Sequence, residues 1–242
     1  MLSTGKNSIS LYMQIKDLLT TRIGNGEWSP GAIIPSEIQL AQQLGVSQGT
    51  VRKAITELVE RNVLTRKQGR GTFVSTHDQD RALFHFFHIA DEVGQKVLPE
   101  SRILRCRRKK ASRMEASRLD LATGTKVISI ERTRHFNDKP VIIETVILPA
   151  ELFRELGKNG EYKLPNTLYE LYEKQYGITI HSANERLRAV PASQQEASLL
   201  NVEPGSPLLE IERTALTLDN TPVELRISRC NSAQHRYENT IF

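Results

Sequence analysis

The chain has 242 residues, 38% of them hydrophobic and 25% charged, the composition of a soluble globular protein with one large domain or two smaller ones. Two cysteines, Cys106 and Cys230, cannot form a disulfide framework. No apolar run approaches the roughly 18 residues of a membrane span, and no signal peptide is evident, so a reducing, cytoplasmic compartment is expected.

The formal charge is +5, and residues 1–75 carry +4 of it, nine Lys/Arg against five Asp/Glu. A basic segment beside a near-neutral remainder points to a polyanion-binding module joined to something else. Leu11, Tyr12, Ile15, Leu18, Leu19 and Ile23 form one helical stripe, stopped by Gly24 and Gly26. Ser36 and Gln39 read as the capping box of a second helix that ends at Gly45. Ser47 caps a third, whose apolar side is Val51, Ile55, Leu58 and Val59. The tight turn between helices two and three is the helix-turn-helix signature. Val63–Arg66 and Thr72–Val74 flank the glycine-rich turn 67–71 as a hairpin, so the segment reads as a winged helix-turn-helix. Gln48, Thr50, Arg52 and Lys53 lie on the exposed side of helix three, and Arg66, Lys67 and Arg70 on the wing. Base edges are read by hydrogen bonds and phosphates by cations, which suits this set to DNA.

Ile34-Pro35-Ser36-Glu37, Leu40-Ala41, Gly45-Val46-Ser47, Thr50-Val51-Arg52, Ala54, Leu58 and Gly69-Arg70-Gly71-Thr72-Phe73-Val74, in this order, resemble the GntR family of bacterial repressors over residues 9–74. The resemblance implies a homodimer reading a palindromic double-stranded operator. It nominates Ser36, Ser47, Gln48, Gly49, Thr50, Arg52, Lys53, Arg66, Gln68, Gly69 and Arg70 as DNA-binding residues. The family carries three arginines of which this chain keeps only Arg52; Ile38 and Gln48 occupy the other two positions. Arg52 remains the candidate guanine reader, whereas Gln48 would suit adenine.

Residues 76–81 are polar and read as a linker between a DNA-binding domain, 1–75, and a larger domain, 82–242. That larger part repeats itself. Glu115–Leu121, Gly124-Thr125, Val127-Ile128 and Ile130–Thr133 recur at an offset of 81 as Glu196–Val202, Gly205-Ser206, Leu208-Leu209 and Ile211–Thr214. After one inserted residue the match resumes at Pro140-Val141 and Pro222-Val223. Each copy reads as a short helix, a glycine turn and a hairpin tipped by Asn137-Asp138 or Asp219-Asn220. Two copies are too few for a solenoid, so one pseudo-symmetric α+β domain is expected, with both hairpins in one antiparallel sheet. Pro165–Tyr172 begins a helix between the copies, capped by Asn166 or Thr167 and packing through Leu168, Leu171 and Tyr172.

Ile130, Arg132, Arg134, Pro140-Val141, Glu144, Leu148-Pro149, Thr167-Leu168-Tyr169, Tyr176-Gly177, Leu200, Gly205, Leu209, Arg213 and Pro222-Val223-Glu224 resemble the UTRA effector domain of the HutC branch of GntR regulators, over roughly residues 80–238. The resemblance implies a chorismate lyase-like fold and a small-molecule pocket. His85, Arg132, Arg134, Glu144, Thr167, Tyr169 and Glu224 are the candidate ligand-binding residues. Arg132 and Arg134 alternate along a strand and point to one face, where they could clamp an anion. Cross-strand ion pairing is the competing reading for each of these charges. The family's sugar-phosphate binders carry small hydroxyl residues where this chain has Phe84-His85, and the family's closing pattern is degraded over Cys230–His235. Either a sugar phosphate or an organic acid therefore remains open.

Arg102–Arg113 holds seven basic residues and no acid; a solvated sheet edge is favoured over a nucleic-acid patch. His85, His88 and Asp91 share a helical spacing that suits metal ligands, but Phe84, Phe86 and Phe87 interleave with them, so packing or pocket lining is preferred. No catalytic, metal or cofactor signature is found. The expected function is a ligand-responsive regulator, a repressor released by a small anionic metabolite. The alternative is an enzyme acting on a small organic acid, because fold alone does not decide function.

Overall fold

The computed structural model describes residues 10–76, 87–91, 94, 98–157 and 164–239, in two compact units divided between Thr76 and His77.

In the first unit α1 (Leu11–Gly24) buries Ile15 and Leu19 and packs on α3 (Gln48–Glu60), whose inner side is Val51, Ala54, Ile55 and Leu58. Between them α2 (Glu37–Leu44) opens on the expected capping box. The Gln39 N–H donates to Ser36 Oγ (3.3 Å), and the Ser36 N–H donates to Gln39 Oε1 (2.9 Å). Gly45 closes that helix in the left-handed region at φ 65°. Strands β1 (Leu64–Lys67) and β2 (Gly71–Val74) form the antiparallel wing, turning at Gly69 with φ 69°.

The second unit contains β3 (Ile89–Asp91), β4 (Glu100–Lys110), α4 (Arg113–Arg118), β5 (Lys126–Phe136) and β6 (Lys139–Pro149). It continues with α5 (Leu168–Tyr176), β7 (Ser182–Pro191), α6 (Gln194–Leu200), β8 (Pro207–Leu216), β9 (Pro222–Asn231) and β10 (His235–Tyr237). Six strands make one antiparallel sheet in the order β4-β5-β6-β9-β8-β7, and β10 pairs with β3 separately. The duplication is visible as two β-α-β-β units meeting at β6 and β9. Each starts its helix with the same device: Ser112 with Glu115 on α4 and Ser193 with Glu196 on α6 form capping boxes. Asn137, Asp138 and Asn220 take positive φ at the hairpin tips. Each unit also has a leading strand: β4 holds the basic run read as a sheet edge, whereas β7 was not revealed by the sequence.

One sheet face packs Ile128, Ile130, Val146 and Leu148 against Leu168, Tyr169, Leu171 and Tyr172 of α5, with Phe153 completing the layer. Further along the same sheet face, Ile89 of β3 joins Ile142, Ile211 and Cys230 in a second apolar cluster. The basic run lies on β4, an edge strand, as a solvated edge requires. The helical spacing read for His85, His88 and Asp91 fails, because Ile89–Asp91 pairs as a strand with β10; His85 lies outside the described residues.

Candidate functional site

The DNA-facing candidates of the first unit lie on one exposed set of positions. Gln48, Gly49, Arg52 and Lys53 are exposed on α3; Arg66, Gln68, Gly69 and Arg70 are exposed on the wing. Ser36 and Ser47 spend their hydroxyls on helix capping: Ser47 Oγ accepts from the Thr50 N–H (3.2 Å) and lies 2.7 Å from Thr50 Oγ1. Glu37 is the unforeseen member. One of its oxygens accepts from Arg52 Nε (2.8 Å) and the other from Arg66 Nη2 (3.0 Å), which also donates to Thr56 Oγ1 (3.2 Å). The first residue of α2 thus ties the recognition helix to the wing and leaves the outer Nη groups of Arg52 toward solvent. Lys53 lies over the Tyr12 ring at 4.0 Å. Ile38 is 57% exposed, an apolar side chain on a face otherwise suited to phosphates.

In the second unit a cavity of about 40 Å³ is lined by Arg132, Arg134, Thr167, Tyr169, Arg213 and Arg226, together with Phe87, Leu98, Asn166 and Leu168. A neighbouring cavity of about 30 Å³ shares Phe87, Arg213 and Arg226 and adds Glu144, Ser228 and Tyr237. The strand alternation that projects Arg132 and Arg134 to one side therefore delivers both to the same space. Thr167 caps α5 without a hydrogen bond to its backbone, and its hydroxyl donates to Glu170 Oε2 (3.0 Å).

The charges are organised as forks, a carboxylate receiving two guanidinium nitrogens. Arg132 donates to Glu144 through Nε (2.6 Å), with Nη2 also at 2.6 Å. Arg226 donates through Nε and Nη2 to Glu224 (3.0 and 2.9 Å). Arg213 engages Glu185 through Nε (2.7 Å) and Nη2 (2.6 Å), and Glu185 also accepts from the Tyr237 hydroxyl. Glu224 lies in neither cavity wall; it is fully buried and accepts from Tyr169 (3.1 Å) and Tyr172 (2.7 Å).

These neighbours set the titration of the site. Burial pushes the Glu144 carboxyl up, but Arg132, Arg226 and Arg134 outweigh it and hold it well below the usual carboxylate range. Burial, together with the Glu224 charge, pushes the Tyr169 hydroxyl up to about 12. Arg134 is 3% exposed. Burial and the Arg132 charge push its pKa down to about 9 against the pull of Glu144, which is 3.7 Å from Nη1. Its Nη2 donates to the Pro99 carbonyl (3.0 Å), and its Nε finds no partner among the described residues.

Arg213, Arg226, Asn166, Glu185 and Tyr172 were not singled out as ligand residues from the sequence. The repeat held the signal for two of them: Arg213 is the counterpart of Arg132 at offset 81, and Arg226 that of Glu144 at offset 82.

A winged helix with an exposed basic reading face, continued in the same chain by a cavity-bearing α+β unit, defines a one-component transcription regulator. Residues 11–74 match the bacterial regulatory proteins of the gntR family and residues 94–236 match the UTRA domain. The chain is 33% identical over 220 residues to the HTH-type transcriptional repressor NagR of Bacillus subtilis, covering 90% of this chain and 89% of that protein. It is 30% identical to the histidine utilization repressor of Pseudomonas putida, over 86% and 83% of the two chains. The ligand-binding domain of a GntR-family regulator from Bordetella bronchiseptica superposes with a TM-score of 0.60 at 36% identity, over 66% of this chain and 99% of that one. The chain belongs to the GntR family of bacterial regulators, with a UTRA domain of the type found in HutC and NagR.

Proposed function

We propose that the chain is a homodimeric, cytoplasmic repressor whose head, residues 1–75, reads a palindromic operator, and whose UTRA domain, 82–242, releases it on binding a small anion. Residues 76–81 join the two. The observation that carries the effector side is the convergence of Arg132, Arg134, Arg213 and Arg226 on one cavity. Four guanidinium groups in one buried space favour an anionic occupant. On the DNA side, the exposed positions of Gln48, Arg52 and Arg66 support base reading by α3 and phosphate contact by the wing. The named repressors among the relatives favour repression over activation, and a regulatory over an enzymatic role for the lyase-like domain. Release follows by linkage: an effector that binds better to one arrangement of the two heads shifts operator affinity by that difference.

Binding-site selection from random DNA with the full chain tests the reading. An inverted repeat with half-sites about one helical turn apart is expected. Recovery of sequences with no shared half-site would falsify it.

A further inference from the structure

Among the described residues, the charge forks of the effector unit do not balance. Glu144 serves Arg132, Glu224 serves Arg226 and Glu185 serves Arg213. Arg134 has no carboxylate of its own and only shares Glu144, 3.7 Å from its Nη1 and already forked by Arg132. It is fixed in place all the same, by the Pro99 carbonyl on Nη2 and the Phe87 ring 5.9 Å from its guanidinium carbon. Its unpartnered Nε lines the same cavity as Asn166, whose buried Oδ1 also lacks a partner. A buried donor and a buried acceptor left unmade are costly in a folded protein unless something completes them.

We propose that the effector is a small organic acid with one carboxylate and an adjacent hydroxyl, amine or ring N–H, its carboxylate forked onto Arg134 and its donor on Asn166 Oδ1. This deepens the anionic-effector reading and rests on it. One carboxylate supplies the charge and the planar pair of acceptors that the other three arginines already have. A phosphate monoester brings about −1.5 to −2 charges to a site short of one. Asn166 Oδ1 selects among acids, since it can only accept and is satisfied only by a ligand that donates.

The test is thermal unfolding of the full chain. Arg134→Met is expected to raise the melting temperature by roughly 2–4 °C, because it removes a buried charge in excess of the carboxylates, whereas Arg132→Met lowers it by taking from Glu144 its main partner. At matched ionic strength against chloride, the wild type is expected to be stabilised by glycolate most, acetate less and inorganic phosphate least, with all three shifts lost in Arg134→Met. Equal shifts from glycolate and acetate overturn the donor on Asn166. Phosphate as the strongest stabiliser overturns the organic acid while leaving an anionic effector standing. If Arg134→Met is destabilised as much as Arg132→Met and no anion acts, both the proposal and the anionic-effector reading fall.

Discussion

Arg213 and Arg226 face each other directly across β8 and β9, in the places that Arg132 and Glu144 hold across β5 and β6. The two hairpins are copies of one unit, yet the cross-strand pair is attractive in the first and like-charged in the second. Like charges directly opposite on a sheet are destabilising, so the second copy survives only through carboxylates recruited from elsewhere. Glu224 comes from two residues before Arg226 on β9, and Glu185 from the edge strand β7. The exchange of one glutamate for an arginine between the copies is what leaves the cavity rich in guanidinium groups.

Glu224 is therefore the residue on which the second copy depends most. Glu224→Ala strands Arg226 opposite Arg213 and removes the acceptor of the Tyr169 and Tyr172 hydroxyls. Breaking a buried pair from one side costs about 3–5 kcal/mol. Urea unfolding of the variant should show a lower midpoint with an unchanged slope; a loss below about 1 kcal/mol, the scale of an exposed pair, would contradict the buried-fork assignment.

Arg132→Ala combined with Arg134→Ala is expected to abolish the effector's influence on operator affinity and leave DNA binding intact. Arg132 is also the main partner of Glu144, so Glu144→Gln belongs in the same variant to avoid an uncompensated buried charge. Operator titrations by fluorescence anisotropy, with and without effector, read the difference. A triple variant that still responds would place the pocket elsewhere.

The legible parts of this chain were those with local causes. Ser36 with Gln39, Gly45 and Ser47 specify helix ends by neighbouring side chains and one backbone angle, and the structure has them where the sequence puts them. The duplication exposed both hairpins, because a repeated pattern needs no knowledge of what it packs against. The edge strand β4 was legible from its run of basic residues, but β7 was hidden: an edge strand that exposes Arg186, Leu187, Arg188 and Ala189 in succession shows no alternation. The pairing of Arg213 with Glu185, 28 residues apart, and the role of Glu37 between α3 and the wing depend on tertiary proximity. No local rule encodes either.

The acid limb of stability should follow the same forks. Glu144 titrates below the ordinary carboxylate range in the folded chain: the charges of Arg132, Arg226 and Arg134 outweigh burial. For Glu185, burial is likewise outweighed, chiefly by the Arg213 charge and the Tyr237 hydrogen bond. Groups with a depressed folded pKa bind protons more readily when unfolded, so stability rises with pH across the interval between the two values. Their contribution is complete above the unfolded value of about 4.3 and fades as the pH falls toward the folded one. Glu144→Gln should be less stable than the wild type near neutrality, with the gap closing on acidification in urea midpoints measured against pH. A gap independent of pH would mean that Glu144 carries no depressed pKa.

On the DNA side, Arg52 and Arg66 should separate cleanly although one carboxylate holds both. Arg52 keeps its Nε on Glu37 and presents its Nη groups outward from α3, the geometry for reading a guanine edge. Arg52→Ala is expected to cost about 1–3 kcal/mol and to relax preference at a single base pair of each half-site. Arg66 sits on the wing with its Nη2 already donating to Glu37 and Thr56, so its remaining donors suit phosphate. Arg66→Ala should weaken all sequences alike and reduce the salt slope of log affinity by about 1 per head. Binding-site selection together with salt titration distinguishes the two. Unchanged base preference in Arg52→Ala would remove α3 residue 52 from the reading surface, and a base-specific loss in Arg66→Ala would make the wing a reader rather than a clamp.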